Sequence, residues 1–151
     1  MPDDEDRDDL TYERLSVHSL VGNLPELFLR EFMAEGRTAL IVDVDRLVSR
    51  GRYVQLLARE DDHILVECVS NNYLDAPFTL SLDQDLALVD LGFEPAEGPE
   101  SDHPNFWFHA EGIEASMEAC RMVARALTEV FALPPGWLVD LVRRPVSIPH
   151  D

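Results

Sequence analysis

The chain has 151 residues, 46% of them hydrophobic and 28% charged, the size and balance of one folded domain around a single core. Thirty Asp and Glu stand against twelve Arg and no Lys, a formal charge of −18, which argues against nucleic acid and anionic lipid surfaces as partners because both are held by clustered cations. The two cysteines, Cys68 and Cys120, are far apart and outside any C-x-x-C pair, which disfavours a disulfide scaffold or zinc ribbon and points to a reducing cytoplasm.

Residues 1–9 carry six acids and one Arg and are expected to form a disordered acidic tail. An acidic start is also unlike a signal peptide, and no apolar run reaches membrane-spanning length, so neither export nor insertion is expected. From Leu10 the pattern becomes helical, interrupted at Gly22-Asn23-Leu24-Pro25, which predicts two short helices. The second has Leu24, Leu27, Phe28 and Phe32 as its apolar stripe and stops at Gly36. Three strand-like runs follow, Thr38 to Asp45, Tyr53 to Glu60 and Ile64 to Asn71. Ser81 and Gln84 then form a capping box opening a short helix with Leu82, Leu86 and Val89 on one face, closed by Gly92. Phe93-Glu94-Pro95 and Asn105 to Ala110 read as a hairpin around a long turn, Ala96 to Pro104.

The clearest element is a helix in which Ile113, Met117, Cys120, Ala124, Leu127 and Phe131 recur at spacings of four and three. Leu133-Pro134-Pro135 ends it, a short helix around Trp137, Leu138 and Leu141 follows, and residues 143–151 are expected to fray. The order α-β-β-β-α-β-β-α predicts one α+β domain over residues 10–142, an antiparallel sheet of about five strands with helices mainly on one face.

Short stretches give this outline a family likeness: Arg52-Tyr53-Val54-Gln55-Leu56, Val66-Glu67-Cys68-Val69-Ser70-Asn71-Asn72-Tyr73-Leu74, Leu91-Gly92-Phe93-Glu94-Pro95 and Asn105-Phe106-Trp107. Together they resemble the actinobacterial TY-Chap domains, grouped with type III secretion chaperones and YbjN-like proteins as peptide-binding chaperones. The likeness covers Leu24 to Leu138. It implies a secretion-chaperone-like fold and a non-enzymatic role, holding a segment of a client polypeptide, often as a homodimer. An alternative for a small acidic chain is an immunity-type or regulatory protein blocking one folded target.

The residues themselves allow such binding. Covered by helices, the sheet should bury Leu40, Val42, Val44, Val54, Leu56, Ala58, Ile64, Val66, Cys68, Phe106 and Phe108. The opposite alternates are Ile41, Asp43, Tyr53, Gln55, Leu57, Leu65, Glu67, Val69, Trp107 and His109, too apolar for a solvated face and too polar for a core. Of these, Ile41, Tyr53, Gln55, Leu57, Leu65, Glu67, Val69 and Trp107 are the candidate partner-binding residues. The assignment rests on a three-residue loop, Asp61 to His63, which pairs Val54 with Ser70 and gathers Gln55 and Glu67 on one side. A two-residue turn at Asp61-Asp62 would put Val54 with Val69 instead. The face could also be covered by the first helix or by a second copy, and an unpaired sheet edge offers another way to hold an extended peptide.

Motifs for chemistry are sparse. Asp43-Val44-Asp45 puts two carboxylates on one side of a strand, fewer oxygen ligands than Mg²⁺ or Ca²⁺ needs. The five His show no H-x-H, H-x-x-x-H or H-E-x-x-H spacing, so a zinc site would have to be assembled from distant positions. Arg37, Arg46, Arg50 and Arg52 form the one positive cluster, read as balancing neighbouring acids. No phosphate-binding glycine loop or nucleophile elbow occurs. The reading is a domain with no catalytic, metal or cofactor residues.

Overall fold

The computed structural model describes residues 11–33, 38–46, 48, 50–58 and 63–145. The acidic tail 1–9 and the loop 59–62 lie outside them. Six strands form one antiparallel sheet: β1 (Thr11–Ser16), β2 (Thr38–Asp43), β3 (Tyr53–Ala58), β4 (His63–Cys68), β5 (Phe106–Glu111) and β6 (Leu138–Pro145). Their spatial order is β1-β6-β2-β3-β4-β5. Three helices accompany them, α1 (Val17–Met33), α2 (Leu82–Leu91) and α3 (Gly112–Arg125), the last continued by a π-helical turn at Ala126–Val130. The fold class is the α+β sheet with helices that the sequence predicts.

Every helix feeds one core on one side of the sheet. Leu20, Leu24 and Phe28 of α1, Leu88 of α2 and Ala119 and Val123 of α3 pack with Val42, Val54, Leu56, Val66 and Leu141 of the strands in a single cluster. Burying a side chain of this size contributes roughly 1.5–3 kcal/mol each, so the covered face dominates the stability of the domain.

Five local expectations are corrected. The segment from Leu10 is not helical throughout: Thr11–Ser16 is the strand β1, paired with β6 from Thr11↔Arg143 to Ser16↔Leu138. The helix then runs through Gly22 and Pro25 as one piece. Pro25 has no N–H to give Val21 O, but Leu20, Leu24, Leu27 and Phe28 are buried on one face, and that packing outweighs the lost bond. The start of α1 is fixed by Ser16 Oγ, which accepts from Ser19 N at 3.1 Å, and by Val17 N–H donating to Trp137 O at 2.8 Å.

At the other end, residues 138–145 are a strand between β1 and β2, not a short helix and frayed tail. The i, i+4 spacing of Trp137 and Leu141 suggested a helix. The alternation of Val139 and Leu141 into the core against Asp140 and Val142 on the other face decides for a strand with two partners. The segment Phe93-Glu94-Pro95 supplies a single bridge, Glu94↔Trp107, rather than a full hairpin strand. Finally, α2 has the expected capping box, Ser81 with Gln84, but its Leu82–Leu86–Val89 face points outward, with Leu82 72% and Leu86 55% exposed. Leu88 is the residue that α2 buries.

Candidate functional site

The strands' registers align the uncovered face into transverse rows. Val142, Ile41, Gln55, Glu67 and Trp107 are successive cross-strand partners from β6 to β5. Beside them run Ala39, Leu57, Leu65 and His109. Gln55 lies opposite Glu67, its Nε2 donating to Glu67 Oε1 at 3.2 Å. The two polar side chains thus satisfy each other in the middle of an apolar surface. Ala39, Leu65 and Val142 are buried without being part of the helix-covered core. The pairing is two residues away from the one expected, since Val54 opposes Cys68 rather than Ser70. An even shift keeps every side chain on the side assigned to it.

Seven of the eight candidate residues share this face. Ile41, Gln55, Glu67 and Trp107 occupy one row, Leu57 and Leu65 the next, and Tyr53 a third, opposite Asp43. Val69 does not belong with them. The β4–β5 ladder ends at Cys68↔Phe106, and beyond it the alternation breaks: Cys68 and Val69 are both fully buried in the core, with Val69 N–H bonded to Tyr53 O at 3.1 Å.

Trp107 is held from two sides. Its backbone exchanges bonds with Glu94, at 2.7 and 3.2 Å, and its indole stacks on His103 with ring centroids 4.1 Å apart and planes 15° apart. Such stacking fixes an aromatic side chain at little entropic cost on binding. At the far end the face sinks into a depression of ≈ 360 Å³ bounded by Ile41, Asp43, Arg50, Tyr53 and Tyr73. Burial, and then the neighbouring charges of Asp140 and Asp45, hold the Asp43 carboxyl above its ordinary value. Asp45, the other half of the D-x-D pair, faces the opposite way into a turn. It accepts three bonds of 2.8 Å from Arg52 N, Nε and Nη2, and Gly51 is required there because a Cβ would stand 2.7 Å from Asp45 Cβ.

The residues shared with the TY-Chap likeness mostly serve this scaffold. Asn71 brackets Leu80, accepting its N–H at 2.7 Å and donating to its carbonyl at 2.9 Å. Asn72 Nδ2 donates to Glu97 O and Pro104 O, and Ser70 Oγ to Pro104 O at 2.7 Å. Ser70, Asn71 and Asn72 therefore pin the two long loops that flank α2. Both thiols are buried; burial pushes Cys120 up to about 12 and Cys68 higher still, so neither is poised as a nucleophile.

Sequence reasoning missed two parts of the surface. Val142 and Asp140 extend the face onto β6, which was read as helix. The sequence places Leu82, Leu86 and Val89 on one face of α2 without showing that this face is the outward one. The alternation of Val139, Leu141 and the charged residues between and after them was the available signal for the first. Nothing in the sequence distinguishes the two apolar sides of α2.

A six-stranded antiparallel sheet with helices on one side and a mixed apolar face on the other defines a sheet-based binding domain. The family model described as "TY-Chap3: T3SS (YopN, CesT) and YbjN peptide-binding chaperone 3" matches residues 28–141, and the chain belongs to that family of peptide-binding chaperones. No curated protein and no solved structure matches the chain. No helix among the described residues is long and apolar enough to cross a membrane.

Proposed function

We propose that this protein is a non-enzymatic cytoplasmic chaperone that holds an extended segment of a client polypeptide on the uncovered sheet face. The observation that carries this reading is the pair of rows Val142–Ile41–Gln55–Glu67–Trp107 and Ala39–Leu57–Leu65–His109. Apolar side chains there surround one internally satisfied polar pair, with no helix layer above them among the described residues. Such a face gives affinity through apolar contact and asks little of the client's sequence. The outer edge of β1 is an end of the sheet and offers backbone pairing to the same segment, whereas the outer edge of β5 is already bridged at Trp107 by Glu94. The depression beside Tyr53 suits an anchoring side chain of the client, with Asp43 favouring a basic one.

A homodimer is part of the proposal. Leu82, Leu86 and Val89 form an exposed apolar stripe on the helical side, where self-association would leave the sheet face free. Light scattering tests this: the wild type is expected at twice the chain mass and Leu86→Glu at the chain mass, whereas a monomeric wild type overturns it.

The client reading is tested with fluorescently labelled extended apolar peptides that carry a basic residue. Trp107→Ala with Leu57→Asp is expected to weaken binding at least tenfold, the loss of about 1.4 kcal/mol or more, while the unfolding midpoint stays near that of the wild type. Unchanged affinity in a folded double variant removes this face as the binding site. Capture of a single folded partner at one-to-one stoichiometry, with no binding of peptides, would favour a regulatory role instead.

A further inference from the structure

The register of β4 on β5 brings His63 to two side chains far from it along the chain. His63 and Glu111 are direct cross-strand partners on β4 and β5, and His109 lies two residues before Glu111 on the same face, opposite Leu65. His63 Nδ1 stands 3.0 Å from His109 Nε2 and 3.3 Å from Glu111 Oε1, and one ligand atom from each of the three lies within 4.8 Å of the others. The two imidazoles are stacked, with centroids 4.9 Å apart and planes 25° apart, and their facing nitrogens make the closest approach.

From this geometry we propose that His63, His109 and Glu111 form a surface site for a divalent metal ion of the Zn²⁺ type, with solvent completing the coordination. Zn²⁺ binds His nitrogen and carboxylate oxygen at about 2.0–2.2 Å, which in a tetrahedron separates neighbouring ligand atoms by about 3.3–3.5 Å. Two of the three separations already stand at or just below that value, so binding requires only that the nitrogens part slightly and the exposed Glu111 carboxylate close in. Two imidazoles with one carboxylate select a borderline ion over Mg²⁺ or Ca²⁺, which take oxygen ligands. A metal ion engages a lone pair from each of the three groups at once. The β4–β5 ladder holds the Cα positions of the ligands, as a site built on paired strands requires.

The site shares His109 with the rows read as client-holding but does not require that reading, and its test uses the full chain freed of metal by a chelator. Isothermal titration with ZnCl₂ is expected to show one ion per chain whose affinity falls at least ~100-fold in His63→Ala/His109→Ala and ~10-fold in Glu111→Gln, steeper than or equal to the losses that outer partners of a metal site cause. Co²⁺ should give the intense visible bands of a tetrahedral site in the wild type and lose them in the double variant. All three positions are at the surface, and matching circular dichroism of wild type and variants checks that the fold is intact. Equal Zn²⁺ affinity in wild type and double variant would assign binding to the acidic surface or the cysteines and overturn the proposal. So would the absence of stoichiometric binding by the wild type.

Discussion

On the covered side of the sheet, Leu141, Val42, Val54, Cys68 and Phe106 stand in one transverse row, all buried in the core. One residue along each strand, on the other side, the row reads Val142, Ile41, Gln55, Glu67 and Trp107. Both rows come from the same five strands and the same backbone hydrogen bonds. What separates them is the helix layer. In the covered row every side chain is aliphatic, aromatic or a thiol, because an unpaired polar group there would lose its hydration without return. On the open side the polar groups are admitted in pairs, Gln55 with Glu67 and Arg14 with Asp140 at 2.9 Å, among apolar neighbours. The lesson is that a sheet face left for a partner differs from a core by a few satisfied polar groups and not by a loss of hydrophobicity.

The contrast is sharpest in adjacent residues of β3. Leu56→Ala, on the covered side, is expected to cost about 2–5 kcal/mol through lost transfer energy and the cavity left behind. Leu57→Ala, on the open side, should cost less, about 1–2 kcal/mol, since the side chain is already partly exposed and its loss leaves no enclosed cavity. Urea unfolding at constant m-value measures both; equal losses would mean that the open face is packed as a second core.

A smaller effect separates the faces by pH. Burial, then Asp140 and Asp45, raise the folded pKa of Asp43 above its ordinary value, so the folded state binds this proton more tightly than the unfolded chain does. The ionised carboxylate therefore costs stability above its folded pKa. That cost fades as pH falls through the folded value and is gone below the ordinary carboxylate range. Asp43→Asn should accordingly stabilise the protein at neutral pH, by less than about 1 kcal/mol because the side chain is half-exposed and solvent screens it. The gain should vanish in acid. A gain that persists or grows at low pH would show that the charge of Asp43 is not its source.

Much of this contrast was legible in the sequence. Period-two alternation in β2, β3 and β4 assigned Leu40, Val42, Val54, Leu56, Ile64 and Val66 to the core and Ile41, Gln55, Leu57, Leu65 and Glu67 to the other face, and an even error in register left that division intact. The capping box at Ser81 and Gln84 fixed where α2 begins. Three things were not legible. β1 and β6 pair with each other across more than a hundred residues of chain, and such a pairing leaves little trace in either segment alone. Val69 follows the local pattern of β4, but the strand's partner ends one residue earlier. The meeting of His63, His109 and Glu111 depends on which residues of two strands stand opposite, a fact of register and not of spacing along the chain.

The central claim, that clients lie on the open sheet face, is tested most directly by the two indole N–H signals in a heteronuclear NMR titration with an extended apolar peptide. Trp107 sits on that face, while Trp137 donates its indole N–H to Val44 O at 3.0 Å, away from the rows around Gln55. The expected result is a saturable shift of the Trp107 signal, with Leu57 and Leu65 amides moving alongside it, and a Trp137 signal that stays in place. A peptide that binds while Trp107 and these amides remain unmoved would contradict the account.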